Sequence, residues 1–147
     1  MNTIKEIIEF AIQKEIEAAE FYHKLQNIAK LPSSKEFLKE LEEMEISHQK
    51  ILQQYLERPN EINLIGQPQD LQISNFMDQV APETEMTFQQ ILIIAMKREE
   101  NAMYLYQQLA KEVDGEAKNV FLRLSQEEAK HKLQLETIYD EEILKEN

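Results

Sequence analysis

Six carboxylate and imidazole residues recur at matched positions in the two halves of this 147-residue sequence, and that recurrence is its strongest structural constraint. They are Glu15, Glu45 and His48 in the first half and Glu99, Glu128 and His131 in the second. The offset from Glu15 to Glu99 differs by a single position from the offset between the two Glu-x-x-His pairs. We interpret the chain as an internal duplication in which both copies keep the same polar positions.

Apolar residues recur every three or four positions in four stretches, which predicts four amphipathic helices. The expected helices cover residues 3–30, 35–57, 86–112 and 116–144. Two of their starts fit capping boxes, in which a Thr N-cap and a Glu or Gln three residues later bond each other's backbone. These pairs are Thr3 with Glu6 and Thr87 with Gln90. For the second helix, Ser34 or Ser33 is the expected N-cap, with Glu36 in the first turn.

The connection over residues 59–86 has no sustained helical period. Its helix-breaking residues are Gly66, Pro68 and Pro82. A connection of this length suits a crossover between opposite ends of a bundle better than a hairpin. Apolar residues within 71–73 and 76–77 are expected to pack on the bundle. The predicted fold class is therefore all-α, a ferritin-like four-helix bundle with one long crossover between helices 2 and 3, forming a single domain over residues 1–147.

Composition excludes several classes of function. The net charge of −12 disfavours nucleic acid and anionic membrane surfaces as partners. The sequence has no cysteine, so it contains no disulfide, no Cys-ligated zinc and no rubredoxin-type iron. The first residues already form an amphipathic pattern rather than a signal peptide, and no apolar run reaches the roughly 20 residues of a membrane span. A soluble cytoplasmic protein is the resulting expectation.

The six recurring residues are best explained as a metal site. Each glutamate interrupts an apolar stripe, where burial of a charge is costly unless something compensates it. In two-metal bundles, two helices each contribute one Glu and the other two each contribute Glu-x-x-His. Such ligands suit iron or manganese, and two divalent ions neutralise four carboxylates. The alternative is a set of solvated glutamates on a charged bundle, which the register across both halves disfavours.

A third Glu-x-x-His pair provides a control. Glu20 lies off the apolar stripe, and the second-half positions that correspond to Glu20 and His23 carry Tyr104 and Gln107. We therefore predict that His23 is a surface residue. Tyr22 and Tyr106 each follow their glutamate by two helical turns, so they are expected to donate hydrogen bonds to ligand carboxylates rather than to perform chemistry. The six methionines are expected to fill the core.

The chain resembles the rubrerythrin branch of the ferritin-like superfamily. The matching segments are EIEAAEFY at 15–22, EISH at 45–48, DLQISNFM at 70–77, AMKREENAMYLY at 95–106 and EAKH at 128–131. The resemblance implies a non-haem di-iron site whose ligands are Glu15, Glu45, His48, Glu99, Glu128 and His131. It also implies a homodimer that detoxifies hydrogen peroxide or oxygen.

The sequence departs from the family pattern at two points. Full-length rubrerythrins carry a rubredoxin domain, whereas this sequence has no cysteine, so electrons are expected from an external donor such as a rubredoxin. Rubrerythrins also typically have a further glutamate one turn after the third-helix ligand, which is associated with redox-dependent iron movement. That position is Ala102, and the neighbouring Glu100 points about 100° away around the helix.

Alternative functions remain open at the level of sequence. Hydrogen peroxide reduction is the leading hypothesis. A ferroxidase that oxidises Fe(II) and passes Fe(III) on is the second, and a metal-free interaction module is the third. The same ligands also accept manganese or zinc in place of the two irons.

Overall fold

Four long helices dominate the computed structural model, which describes residues 3–65, 73–76 and 86–144. They are α1 (Ile4–Ile28), α2 (Pro32–Glu57), α3 (Phe88–Glu112) and α4 (Gly115–Tyr139). Helix α1 packs along α2, and α3 packs along α4. The predicted all-α four-helix bundle is confirmed. Within the described ranges, no helix is both long and apolar enough to cross a lipid bilayer.

Helix direction explains the long crossover. The end of α2 and the end of α3 lie in the same apolar cluster, which also holds the start of α1 and the start of α4. Helices α2 and α3 are therefore parallel. The chain leaving α2 must return along the whole length of the bundle, about 37 Å for 25 residues, before α3 begins. The predicted crossover between helices 2 and 3 is thus required by the helix directions.

Two helix starts follow their predicted caps, and one prediction is wrong. Both capping boxes are present, with the Thr3 and Thr87 side chains accepting from the backbone N–H three residues later. Helix α2, however, begins at Pro32, three residues before the expected start, and its N-cap Leu31 makes no side-chain bond. Proline suits the first helical position, because its φ is already helical and no amide is left unpaired. Ser34 is consequently buried in the first turn instead of capping it.

The described parts of the crossover attach to one end of the bundle. A 3₁₀ turn covers Pro59–Glu61, and strand β1 (Asn63–Leu64) pairs antiparallel with β2 (Val113–Asp114), a pairing that was not predicted. A second 3₁₀ turn, Ile73–Phe76, places Ile73 and Phe76 against the apolar cluster, as expected. The remaining predictions for this connection, which concern residues 66–72 and 77–85, lie outside the described residues. Helix α4 ends earlier than predicted and continues as a π-helical turn, Asp140–Leu144.

Two apolar clusters fill the bundle, one toward each end. The first cluster includes Ile8, Leu52, Leu109 and Phe121, and the second includes Leu25, Leu38, Leu92 and Leu135. Along every helix the predicted ligand residues fall between the positions that enter the two clusters. The bundle therefore has a polar layer at mid-height, enclosed by apolar side chains above and below.

Candidate metal centre

All six predicted ligand residues lie in this polar layer and are buried. Their exposed fractions run from 0% to 3%: Glu15 2%, Glu45 1%, His48 0%, Glu99 2%, Glu128 0% and His131 3%. On each helix, the ligand residues lie on the apolar stripe, and that stripe faces the interior of the bundle. On α2 and α4 the Glu-x-x-His spacing turns both side chains to the interior, because residues three apart share a helix face.

The six residues form two groups, each of which could hold one metal ion. One group comprises Glu15, Glu45, His48 and Glu128, and the other comprises Glu45, Glu99, Glu128 and His131. Within each group, one candidate ligand atom from every residue lies within 4.8 Å of the others. Glu45 and Glu128 belong to both groups, which is the arrangement in which carboxylates bridge two cations.

Distances between the histidines and glutamates show that residues from the two halves of the sequence contact one another in the site. His48 Nδ1 lies 2.7 Å from Glu128 Oε1 and 3.4 Å from Glu15 Oε2. His131 Nδ1 lies 2.8 Å from Glu45 Oε1 and 3.6 Å from Glu99 Oε2. The two imidazole rings are stacked, with centroids 5.8 Å apart. Nδ1 of each histidine thus lies closest to the glutamate of the other Glu-x-x-His pair.

Buried polar atoms without hydrogen bonds indicate whether these six residues fit a metal ion. Seven buried side-chain atoms in the six residues lack a hydrogen bond, including Nδ1 of both histidines and both carboxylate oxygens of Glu128. Some of these atoms are close to one another but not in hydrogen-bonding geometry. Buried polar atoms without partners are costly. Atoms that converge on shared points without bonding each other are satisfied by cations at those points, so the residues fit a pair of metal ions.

Electrostatics supports the same conclusion. Burial raises the pKa of Glu45 and of Glu128 well above the ordinary carboxyl value, and repulsion from the neighbouring glutamates raises both pKa values further. Burial also raises the pKa of Glu15, but the contacts with Glu45 and His48 outweigh it, so its pKa is lowered. The cluster cannot ionise fully without positive charge among its oxygens. Divalent cations supply that charge.

Two buried tyrosines donate hydrogen bonds to the outer glutamates of the cluster. The Tyr106 hydroxyl donates to Glu15 Oε1 at 2.6 Å, and the Tyr22 hydroxyl donates to Glu99 Oε1. Burial raises the pKa of both phenols well above the usual value, and the adjacent carboxylates raise it further, so both hydroxyls keep their protons. Hydrogen bonds from both tyrosines to these carboxylates are present, and each tyrosine bonds the glutamate of the other half.

One contact of the cluster was missed by the sequence reasoning. His48 Nε2 lies 2.6 Å from Glu127 Oε2, on the side of the ring away from the metal groups. Glu127 immediately precedes a predicted ligand, but a run of acids on a charged helix carries no distinguishing signal. The contact depends on how α2 and α4 face each other, which spacing within one helix does not determine.

A small cavity of about 20 Å³ opens beside the cluster between α1 and α3. Glu15, Glu99 and Ala102 are among its lining residues, together with Lys14 and Arg98. Such a volume holds about one water molecule. Ala102 thus leaves free space beside the cluster where the resembled family has a further carboxylate.

The control residues lie where the sequence predicted. The His23 side chain is 69% exposed and contacts Glu42 on the surface. Glu100 points away from the cluster and accepts a hydrogen bond from Lys132 at 3.0 Å. Neither residue takes part in the candidate metal centre.

Comparison with known proteins gives one sequence family and one similar structure. The profile of the Rubrerythrin family, whose members typically bind iron and serve in oxidative-stress defence or iron handling, matches residues 6–139. No curated protein matches the sequence significantly. A solved structure of a hypothetical protein from Pyrococcus furiosus is similar, with a TM-score of 0.71, 28% identity, and coverage of 94% of this chain and 89% of that chain. With its four-helix bundle, its buried Glu/His layer and a family match over nearly its whole length, this chain belongs to the rubrerythrin family.

Proposed function

We propose that the protein is a di-iron oxidoreductase that reduces hydrogen peroxide with electrons from an external donor. The observation that carries the proposal is the pair of buried ligand groups sharing Glu45 and Glu128, in a chain of the rubrerythrin family. Such a pair would hold two redox-active ions at once, and peroxide reduction needs two electrons. The overall reaction consumes one peroxide, two electrons and two protons, and yields two water molecules.

This chain's own residues would bind the irons, fix the orientation of the ligands and keep bulk water out of the site. Glu15 and Glu99 are the outer ligands, and their orientation is fixed by hydrogen bonds from Tyr106 and Tyr22. Iron bound to the six ligands would supply electrons and polarise the oxygen atoms of the oxidant. The apolar clusters on both sides exclude bulk water from this layer.

Cavity size supports a small oxidant. The opening beside Ala102 is about 20 Å³, which is room for about one water molecule, so a small oxidant is the substrate expected there. Lys14 and Arg98 line the same opening, and both lie close to Glu17. The cavity volume does not distinguish peroxide from oxygen, so the choice between the two oxidants rests on reactivity.

The electron donor is proposed to be a separate protein such as a rubredoxin. These 147 residues contain no cysteine and so no rubredoxin-type iron site. We also propose that residues 1–147 act as a single ferritin-like domain, that the protein forms a homodimer, and that the site takes iron in preference to manganese or zinc.

A ferroxidase is the second candidate, because the same ligand groups can oxidise Fe(II) with oxygen and release Fe(III). Ala102 favours this candidate, since the residue associated with redox-dependent iron movement in rubrerythrins is missing. The two candidate functions predict different oxidants and different numbers of irons oxidised per chain.

Anaerobic loading with Fe(II), followed by rapid mixing with peroxide or oxygen, tests the proposal. Optical oxidation kinetics that saturate at two irons per chain and are much faster with peroxide support the peroxidase. Turnover with reduced rubredoxin and peroxide must also exceed the rate with free iron. Faster oxidation by oxygen that continues past two irons would instead support the ferroxidase. Failure to bind iron would leave the metal-free interaction module.

A further inference from the structure

The two groups of ligand residues differ at the histidine nitrogen that faces away from the other ligands. Glu128 and Glu45 occupy matched positions in the duplication, so the repeat counterpart of Glu127 is Met44. One copy therefore has a carboxylate where the other has a thioether. The Met44 side chain lies at the surface, 38% exposed. The near-symmetry of the six ligands does not extend to this position.

On the His48 side, both nitrogens of the imidazole lie close to carboxylates. Nδ1 faces the group formed with Glu15 and Glu128, while Nε2 lies 2.6 Å from Glu127 Oε2. The ring is fully buried and the Glu127 side chain is 29% exposed. The other Glu127 oxygen lies 3.9 Å from Arg123 Nε at the surface. The carboxylate thus sits between a buried ring and a surface cation.

On the His131 side, only Nδ1 lies close to a carboxylate among the described residues. Nδ1 lies close to Glu45 and Glu99, in the same relation as on the other side. No residue in the described ranges forms a hydrogen bond with Nε2 of His131. The repeat counterpart of Glu127, Met44, carries only a sulfur atom, which is a weak acceptor. In the described ranges, the His131 ring therefore lacks the carboxylate contact at Nε2 that the His48 ring has.

We propose that Glu127 is a positioning residue that makes the His48 group the tighter metal position, which fills before the His131 group. A carboxylate that accepts from one ring nitrogen keeps the proton there, leaves the other nitrogen free to ligate, and makes it more basic. The loss of such a partner typically lowers metal affinity 10- to 100-fold. The inference rests on the proposed metal centre and adds an order of filling to it.

A surface ion pair does not explain the geometry. The Arg123–Glu127 contact is long and partly exposed, and contacts of that kind contribute little. The Glu127–His48 contact is much shorter, 2.6 Å against 3.9 Å, and engages a ring with no exposed surface. The buried contact is therefore the one that determines where the carboxylate lies.

Cobalt(II) binding tests the order of filling without any assay of activity. The variants are Glu127→Met, which copies the other half of the chain, and Glu127→Gln, which keeps an acceptor but removes the charge. Stepwise affinities come from the visible cobalt bands under chelator competition. Crystals grown with one equivalent of cobalt give the anomalous occupancy of each position. Thermal unfolding of the metal-free variants checks that each one folds.

For the wild type we expect cobalt at one equivalent mainly in the His48 group, and stepwise constants at least 10-fold apart. Glu127→Met should weaken the first constant 10- to 100-fold and reduce or reverse the preference, and Glu127→Gln should weaken it less. The reciprocal substitution Met44→Glu should strengthen binding at the His131 group. Equal occupancy of the two groups in the wild type, or a Glu127→Met variant with unchanged constants, would overturn the inference while leaving the metal centre intact. Absence of cobalt binding in the wild type would overturn the metal centre and the inference together.

Discussion

Replacing Glu128 by glutamine should have opposite consequences for the metal-free and the metal-loaded protein. Glu128 is fully buried, belongs to both ligand groups, and has two oxygens without hydrogen bonds. Without metal its pKa is raised well above normal, because burial and the surrounding glutamates disfavour the charged form. A neutral isostere removes that penalty, so the metal-free variant should be as stable as the wild type or more stable by up to about 3 kcal/mol.

With metal, the same substitution should be strongly destabilising. A ligand that binds only the native state at 100 times its dissociation constant stabilises it by about 2.7 kcal/mol, so two ions give about 5 kcal/mol. Loss of a bridging carboxylate weakens both positions, and a 100-fold weakening of each leaves less than about 1 kcal/mol in total. The metal-induced rise in melting temperature, roughly 10–20 °C in the wild type, should nearly disappear.

Calorimetry with and without Fe(II) under anaerobic conditions measures both effects. Glu15→Gln is the matched control, since Glu15 belongs to one group only and its substitution should remove about half of the metal-induced stabilisation. Glu20→Gln, on the exposed face of α1, should change nothing beyond about 0.5 kcal/mol. The reasoning is refuted if Glu128→Gln keeps the full metal-induced shift, or if Glu20→Gln loses as much of it.

Three further outcomes are expected. Tyr106→Phe removes the hydrogen bond to Glu15, a bond to a charged group worth about 1.5–3 kcal/mol, and should weaken one metal-binding step roughly 10-fold or more in a cobalt titration; an unchanged isotherm would contradict this role. Glu45 and Glu128 have raised pKa values in the folded state, so the native protein binds more protons than the unfolded chain, and the stability of the metal-free protein should fall as pH rises above the ordinary carboxyl range. Urea unfolding at about pH 5 and pH 8 checks the sign, and the metal-loaded protein should show a smaller fall. His23→Ala should leave both metal binding and stability unchanged, because that side chain is 69% exposed.

Much of the fold followed from the sequence because periodicity and duplication act together. A glutamate on an apolar stripe has few structural explanations, and the nearly constant offset between the two halves puts their polar residues at equal depth. The six residues could therefore be grouped as one candidate metal site from the sequence alone. The capping boxes at Thr3 and Thr87 were equally predictable, because capping depends only on residues three positions apart.

The parts that were not predicted depend on contacts between elements or on competing local signals. At the start of α2, proline at the first helical position prevailed over Ser34 as a cap. The short β1–β2 pairing joins segments that are far apart in the sequence, and strands this short leave no periodic pattern. The Glu127–His48 contact crosses from α4 to α2, so it depends on the relative rotation of those helices. The sequence indicated that the tyrosines would bond ligand carboxylates, but not that each would bond the glutamate of the opposite half.

Mössbauer spectroscopy of the protein loaded with ⁵⁷Fe tests the central claim most directly, because it reports both the number of irons and their proximity. Two irons per chain that become an antiferromagnetically coupled diferric pair on oxidation are predicted, since Glu45 and Glu128 are shared by both groups. The pair should be absent in Glu128→Gln. Isolated high-spin ferric ions, or iron that binds equally well to the Glu128→Gln variant, would contradict the account.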